Sequence, residues 1–514
     1  MAAGGILKNT FVVAAFTAAS RVMGLVREML QSRLIGAGME QSAFSLAFAI
    51  PNMARKLFGE GALTAAFVPV FRGEVSRGEL ESARRLARSV MTMVVMILGG
   101  IVTLSVLGLT ATLGWSDALS ERTQLTVRLV RILFPYMIII CAAAFGMGVL
   151  NALGKFAAGA MMPAFLNAIW IAALAGIGFF PGLGVATRVK IVAWAILFGG
   201  FAQMAFLFRC MARRGFSPRP LFTAFRDEKV RLVWRNTFIA ALGAGAVQVN
   251  YMLDAVLAQY ASEWAASVIG YAERLMDLPL GVVGVAFGTV LLPTLAGHFV
   301  TGDLAGARKA LVASVTNLLF VMIPAAAGLL VLSSEVTAVV YQGGQFDAVA
   351  TGRVSRALAV YALGLGFFGV QKSLVPWFQA QNDMSTPLRV SVATVIINAG
   401  LNILAVVLLP VEWRHVGLAG STVFCALVGC VALVVMARRR NGSLGLAAAV
   451  PSIVKMTFSA AMMALLLWAV KPHLAGLAPI VALAILVVLG VGVYGSLALL
   501  AMRKELRALR SRGR

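Results

Sequence analysis

Six basic side chains, Arg21, Arg27, Arg55, Lys56, Arg274 and Lys372, stand deep within long apolar stretches, and Glu28, Glu60, Asp254, Glu273 and Asp277 share those stretches. A charge at the centre of a bilayer costs about 2.5–3.5 kcal/mol even on insertion scales. Such residues must face a wet cavity or pair with one another. Lys56 and Glu60 are spaced i,i+4 and Arg274 and Asp277 i,i+3, each pair on one helix face. Arg27 and Glu28 are adjacent, point to different sides of a helix and are expected to be poor partners. Arg21, Arg27 and Arg55 have no acidic residue three or four positions away. Guanidinium groups stay charged, and their fork of donors matches phosphate bidentately. The pattern points to a hydrated, cationic cavity for an anionic substrate.

Helix geometry fits that reading. Arg21 and Arg27 lie six residues apart, roughly 9 Å along a helix and about 120° around it. They could flank a substrate beside Gly24, where the missing side chain permits close approach or a bend. Pro51 stands four residues before Arg55, and Pro279 follows Arg274 by five; each removes a backbone hydrogen bond and marks a kink or hinge. Glu28, Lys56, Glu60, Glu273 and Asp277 are the supporting polar and acidic residues.

The elements that carry these side chains follow from composition. Of 514 residues, 60% are hydrophobic and 12% charged, with a mean hydropathy of +0.91. Soluble chains carry about a quarter charged residues, so a soluble enzyme, a disulfide scaffold and a disordered tail are excluded. Apolar stretches of about twenty or more residues recur from end to end. The expected fold is an all-α polytopic membrane protein of about fourteen transmembrane helices. Spans are expected near 9–33, 41–71, 89–113, 124–152, 157–181, 190–210, 235–260, 264–297, 310–332, 348–381, 385–410, 415–437, 447–470 and 476–502. The connector 209–235 is expected to form a short interfacial helix, and Ser385 or Thr386 to cap the span that follows QNDMSTPL.

The net charge of +24 is a matter of topology. With the N-terminus placed in the cytoplasm, 27 Lys and Arg residues fall in cytoplasmic segments and 6 on the opposite side. The positive-inside rule then places both termini in the cytoplasm. Nucleic acid is not an expected partner. The four cysteines form no CxxC pattern. No ATP-binding motif is present; GVLNALGKF at 148–156 has the wrong glycine spacing and Phe in place of Ser or Thr. The three histidines lie away from the buried charges, which argues against an enzyme acting on a lipid diphosphate.

An internal repeat is visible. AIPNMARKLFGEGALTAAFVPVF (49–71) and DLPLGVVGVAFGTVLLPTLAGHF (277–299) each hold a proline near the start, a glycine-rich centre and a second proline. The expected organisation is an N-terminal lobe at 1–215 (spans 1–6), a second lobe at 216–440 (spans 7–12), and two additional helices with a basic tail at 441–514. Transporters commonly place substrate at such a repeat interface.

At SRVMGLVRE (20–28), IPNMARKLFGEGALTAAFVPVF (50–71), YAERLMDLPLGVVGVAFGTVLLPTL (271–295) and PWFQAQNDMSTP (376–387), the chain resembles the MurJ/MviN family of lipid II flippases in the MOP exporter superfamily. The resemblance runs over about residues 1–510. It implies two six-helix lobes around a central cavity and two C-terminal helices forming a hydrophobic groove. It also implies that undecaprenyl-diphosphate-linked disaccharide-pentapeptide is carried from the cytoplasmic to the periplasmic leaflet of the bacterial inner membrane by alternating access, in the service of peptidoglycan and cell-wall synthesis. The essential cavity arginines of that family fall on Arg21, Arg27, Arg55 and Arg274. Ser42 stands where relatives often have an acidic residue. Some relatives bind sodium in the second lobe, for which the candidates here are Asp254, Asn398 and Asn402; polar packing between helices is the competing explanation. Implied partners are lipid II, membrane lipids and peptidoglycan synthesis proteins.

No cofactor is expected. Coupling to the membrane potential or to a monovalent cation is the expected driving force. The alternatives are a flippase for another polyprenyl-diphosphate glycan and a multidrug/cation antiporter of the same superfamily. An antiporter for cations would line its cavity with carboxylates and aromatics, whereas these buried charges are arginine-rich.

Overall fold

Lipid offers no hydrogen bonds to a backbone, so apolar stretches of this length satisfy their N–H and C=O groups internally as helices. The computed structural model describes residues 3–59, 62–113, 119–221 and 227–501. These are almost wholly helical, and the sole bridge outside helices among them joins Gly343 and Phe346. Sixteen α-helices follow one another: α1 (Ala3–Ile35), α2 (Met39–Ala54), α3 (Ala62–Ser76), α4 (Leu80–Leu113), α5 (Glu121–Ala152), α6 (Phe156–Gly178), α7 (Val185–Ala212), α8 (Glu228–Ala261), α9 (Ala265–Val300), α10 (Leu304–Val331), α11 (Ser333–Tyr341), α12 (Ala348–Gln379), α13 (Ser385–Leu408), α14 (Val411–Asn441), α15 (Val450–Val470) and α16 (Pro479–Ala501). Ten described helices are both long and apolar enough to cross a membrane. The chain is a multi-pass membrane protein. α1, α8 and α9 reach the required length as well, with 33, 34 and 36 residues.

The chain divides into two compact units, Met1–Gln259 with Gly343–Phe346, and Tyr260–Gln342 with Asp347–Arg514. In the first, α1 packs on α6, α2 on α5, α4 on α5, α5 on α7 and α6 on α7; in the second, α9 packs on α12, α10 on α12, α12 on α14 and α13 on α14, with α15 on α10 and α16 on α15. Apart from the α1–α6 contact, the pairing order of the first unit recurs in the second. α5 and α12 are the central helices, 67% and 50% buried over their apolar windows, while no other of the ten exceeds 39%.

Two arginines repeat the same device. Arg188, the fourth residue of α7, donates from Nε to Leu183 O (2.8 Å), from Nη1 to Leu34 O at the end of α1 (2.9 Å) and from Nη2 to Pro181 O (2.8 Å). Arg414, the fourth residue of α14, donates from Nε to Leu409 O (3.1 Å) and from Nη1 to Ala261 O, the last residue of α8 (3.3 Å). Carbonyls at a helix C-terminus have no partner within the helix, and each arginine supplies one.

Three local expectations are corrected. Proline at 51 does not end its helix: α2 runs through it to Ala54, and the departure from α geometry comes only afterwards, as a π-helical turn at Arg55–Gly59, while α9 runs unbroken through Pro279 and Pro293. The connector 209–235 holds no separate interfacial helix among its described residues. Residues 216–221 are irregular, because Pro218 and Pro220 withhold amide donors and bias the residues before them away from helix. Neither Ser385 nor Thr386 caps α13 through its hydroxyl. Asp383 Oδ1 takes the amides of Ser385 and Thr386 (3.1 and 3.0 Å), and its Oδ2 takes Arg440 Nη1 (2.6 Å). The hydrogen bonds from Thr386 and Ser385, with the Arg440 charge, hold this carboxyl down at about 2. Trp377 Nε1 donates to Asn441 Oδ1 (3.2 Å), so the PWFQAQNDMSTP motif builds a corner joining α12, α13 and α14.

The irregular connector is stapled to α3 and α4. Arg88 Nε donates to Arg219 O (3.1 Å), Leu221 N to Thr92 Oγ1 (2.9 Å), and Lys229 Nζ to Glu74 Oε2 (2.8 Å) and Ser82 Oγ (3.2 Å). Glu74 is 1% exposed. Its hydrogen bond from Lys229, then that from Ser82, lowers its carboxyl to about 2 from 4.5. A lowered folded-state value stabilises above the unfolded value and is lost as pH falls. The purified protein is expected to lose thermal stability between pH about 4.5 and 2. Glu74→Gln should flatten that slope; an unchanged acid limb in the variant would assign the loss to other groups.

The loop Gly343–Phe346 meets the end of α1 at close quarters. Gln345 N donates to Arg33 O (2.8 Å). A Cβ on Gly344, at φ +57°, would lie 2.2 Å from Arg33 O, and one on Gly36, at φ +84°, 2.7 Å from Gln345 O. No side chain fits at either position.

Candidate functional site

α1 and α6 lie side by side, and Arg27 is fixed at their contact. Its Nη1 donates to Asn167 Oδ1 of α6 (2.9 Å), its Nη2 pairs with the Glu28 carboxylate, and its Cζ sits 4.4 Å from the centre of the Trp170 ring. Asn167 also donates from Nδ2 to Ser20 O of α1 (3.0 Å). Trp170 is held in turn by Phe44 and Phe48, whose ring centroids are 5.8 and 5.6 Å away. Amide, carboxylate and indole thus hold the guanidinium, whose side chain is 20% exposed. The Arg27–Glu28 pair corrects the expectation that these neighbours are poor partners. Cα–Cβ directions diverge between adjacent residues of a helix, but the long arginine chain reaches the carboxylate.

Arg21 lies one and two-thirds turns earlier on α1 and is exposed. Gly24 between them is not a close-packing position: an added Cβ would make ordinary contact, 3.7 Å from Asn167 Nδ2, and α1 continues through it without a break. Arg55 opens the π turn, half-buried, and donates from Nε and Nη2 to Asn52 Oδ1 (3.2 and 3.0 Å). π turns within α-helices are frequent at functional sites; this one places Arg55 and Lys56 on a segment packed against α5. Lys56 Nζ sits 4.9 Å from the centre of the Tyr251 ring of α8. Its expected partner Glu60 lies outside the described residues.

In the second unit, Arg274 is half-buried on α9 and Asp277 is exposed. Glu273 accepts from Tyr361 Oη of α12 (3.2 Å). Lys372 is exposed on α12. Asn402 Nδ2 donates to Asn398 Oδ1 within α13 (3.0 Å), both buried, while Asp254 accepts from Asn250 within α8 (3.0 Å). Among the described residues no group of three or more His, Cys, Asp or Glu is arranged to hold a metal. Ser42 is buried, and its carbonyl accepts from Gln259 Nε2 (3.0 Å). Residues not foreseen are Asn167, Trp170 and Asn52. An asparagine inside an otherwise apolar span is the signal that could have flagged Asn167, since such a group needs a polar partner in lipid.

A helical fold in two units that share a pairing order, with arginines set within its long apolar helices, is that of a polytopic membrane protein. A family model described as lipid II flippase MurJ matches residues 31–491. The probable lipid II flippase MurJ of Rhizobium tropici is 34% identical over 441 residues, covering 85% of this chain and 81% of that protein. The lipid II flippase MurJ of Burkholderia cenocepacia is 31% identical over 449 residues, covering 85% and 84%. The chain belongs to the lipid II flippase MurJ family. Its fold matches a solved lipid II flippase MurJ in an inward closed conformation, with a TM-score of 0.79 and 21% identity, over 96% of this chain and 100% of that one. An inward-facing MATE family transporter of the MOP superfamily matches with a TM-score of 0.69 and 15% identity, over 84% and 98%.

Proposed function

We propose that this chain flips lipid II across the bacterial inner membrane, from the cytoplasmic to the periplasmic leaflet, with Arg21, Arg27, Arg55 and Arg274 engaging the diphosphate. Family membership across residues 31–491 is the observation that carries the assignment. The arginine roles are supported by Arg27, which is oriented in advance by Asn167, Glu28 and Trp170. A donor already held in place loses little rotamer freedom when it takes up an anion. The π turn offers Arg55 on a segment that departs from regular helix.

In this reading the sugar-peptide headgroup stays in water while the lipid tail remains in the bilayer, and alternating access exposes the headgroup on the far side. Both termini are cytoplasmic, in line with the distribution of Lys and Arg. The negative cell interior favours outward movement of an anion by about 2.3 kcal/mol per charge per 100 mV, which supplies a drive without ATP. A monovalent cation is the other coupling candidate. Asp254, Asn398 and Asn402 are its proposed ligands.

The test is a leaflet-accessibility assay for lipid II in cells depleted of their own flippase and carrying this chain, with the membrane potential collapsed in a parallel sample. Lipid II should reach the outer leaflet in the first sample and stall in the second. Absence of translocation in the energised sample would overturn the flippase assignment. Full translocation after collapse would remove voltage as the drive.

A further inference from the structure

We propose that the cytoplasmic ends of α5, α6 and α7 form a binding site for the phosphate headgroup of an anionic membrane lipid. A cavity of about 510 Å³ opens there, bordered by the α5–α6 turn and the end of α7. Lys155, Arg213 and Arg214 bring three positive charges to its lining, and no acidic residue lines it. All three are exposed. Leu150, Phe156 and Cys210 give the same cavity an apolar wall, and Phe156 is 40% exposed.

The surrounding backbone adds to the positive field. The cavity is lined by the first turn of α6, and no side chain caps that helix start. The carbonyl end of α5, which would repel an anion, is already covered: Arg72 donates from Nε to Ala152 O (3.2 Å) and from Nη2 to Asn151 O (3.4 Å). A soluble anion needs only the charges. Charges combined with an exposed apolar wall, at the level where spans meet the cytoplasm, suit a phosphodiester that keeps an acyl chain in the bilayer. Basic pockets between membrane helices on this side recognise such headgroups. None of these residues belongs to the proposed substrate set, so the inference does not depend on the flippase reading.

The test uses the full chain in detergent micelles, titrated with phosphatidylglycerol and, separately, phosphatidylcholine, with bound lipid counted by native mass spectrometry. Each basic residue near the surface adds to the attraction for an anionic headgroup. Lys155→Gln/Arg213→Gln/Arg214→Gln should therefore weaken phosphatidylglycerol binding about tenfold or more and leave phosphatidylcholine binding unchanged. Arg438→Gln/Arg439→Gln, which removes exposed charge from the end of α14, should leave both unchanged. Inorganic phosphate should not displace the lipid. Wild-type binding by the triple variant, an equal loss in the α14 control, or complete displacement by inorganic phosphate would each overturn the proposal, the last by marking a site for a free anion.

Discussion

Arg27→Ala is expected to slow lipid II translocation by about 10- to 150-fold, the equivalent of the 1.5–3 kcal/mol that a hydrogen bond to a charged group contributes. The guanidinium is oriented from three sides by Asn167, Glu28 and Trp170, so its loss removes both the donor and its alignment. Arg27→Lys should recover little of the rate, because an ammonium has neither the planar face for Trp170 nor the fork that serves Asn167 and a phosphate together. Removing Arg27 alone also deprives the buried Glu28 carboxylate, 6% exposed, of this cation. The double variant Arg27→Ala/Glu28→Gln takes away that second effect: it should fold and insert as the parent does, yet translocate as slowly as Arg27→Ala. Outer-leaflet lipid II in flippase-depleted cells is the readout. A double variant that flips at the parent rate would assign Arg27 to helix packing alone.

The second large effect falls on a residue far from the proposed chemistry in role. Arg188→Ala is expected to destabilise the protein by about 2 kcal/mol or more, since the carbonyls of half-buried Leu34 and Leu183 lose their donor together and an acceptor left unsatisfied away from water costs about 1–3 kcal/mol, while the carbonyl of exposed Pro181 can turn to water. Arg188 is 8% exposed, so water replaces it poorly. Lysine should not rescue, because its single nitrogen cannot reach Leu183, Leu34 and Pro181 in their separate directions. Arg414→Ala, which removes two such bonds, should cost less. Thermal unfolding of the purified variants measures both. A parent-like midpoint for Arg188→Ala would mean that those carbonyls find other partners.

What could be read from the residues was whatever depends on hydropathy and on bilayer thickness: the all-helical class, the multi-pass chain and most helix limits to within a few residues. The embedded arginines stood out for the same reason, since a charge in an apolar run is visible without coordinates. What could not be read was set by reach. Arg27 finds Glu28 because a long side chain bends, which spacing rules built on Cβ directions do not register. Arg188, expected to lie on the side poor in Lys and Arg and counted there only as a topology signal, turns inward to carbonyls more than a hundred residues away in one case. Asn167 matters through α1, its neighbour in space and not in sequence. The π turn at Arg55–Gly59 could not be read from Pro51, because a proline frees the carbonyl four residues before it, whereas the turn begins four residues after it.

The arginine at the fourth position of α7 has a consequence for the order of synthesis. Its bond to Leu34 O lies wholly within the first 212 residues, so the opening bundle can be fastened while the remainder of the chain is still on the ribosome. The bond from Gln345 to Arg33 O must wait until more than a hundred further residues have emerged. The same stretch of α1 is therefore secured twice, by a side chain whose partners are made early and by a loop made late.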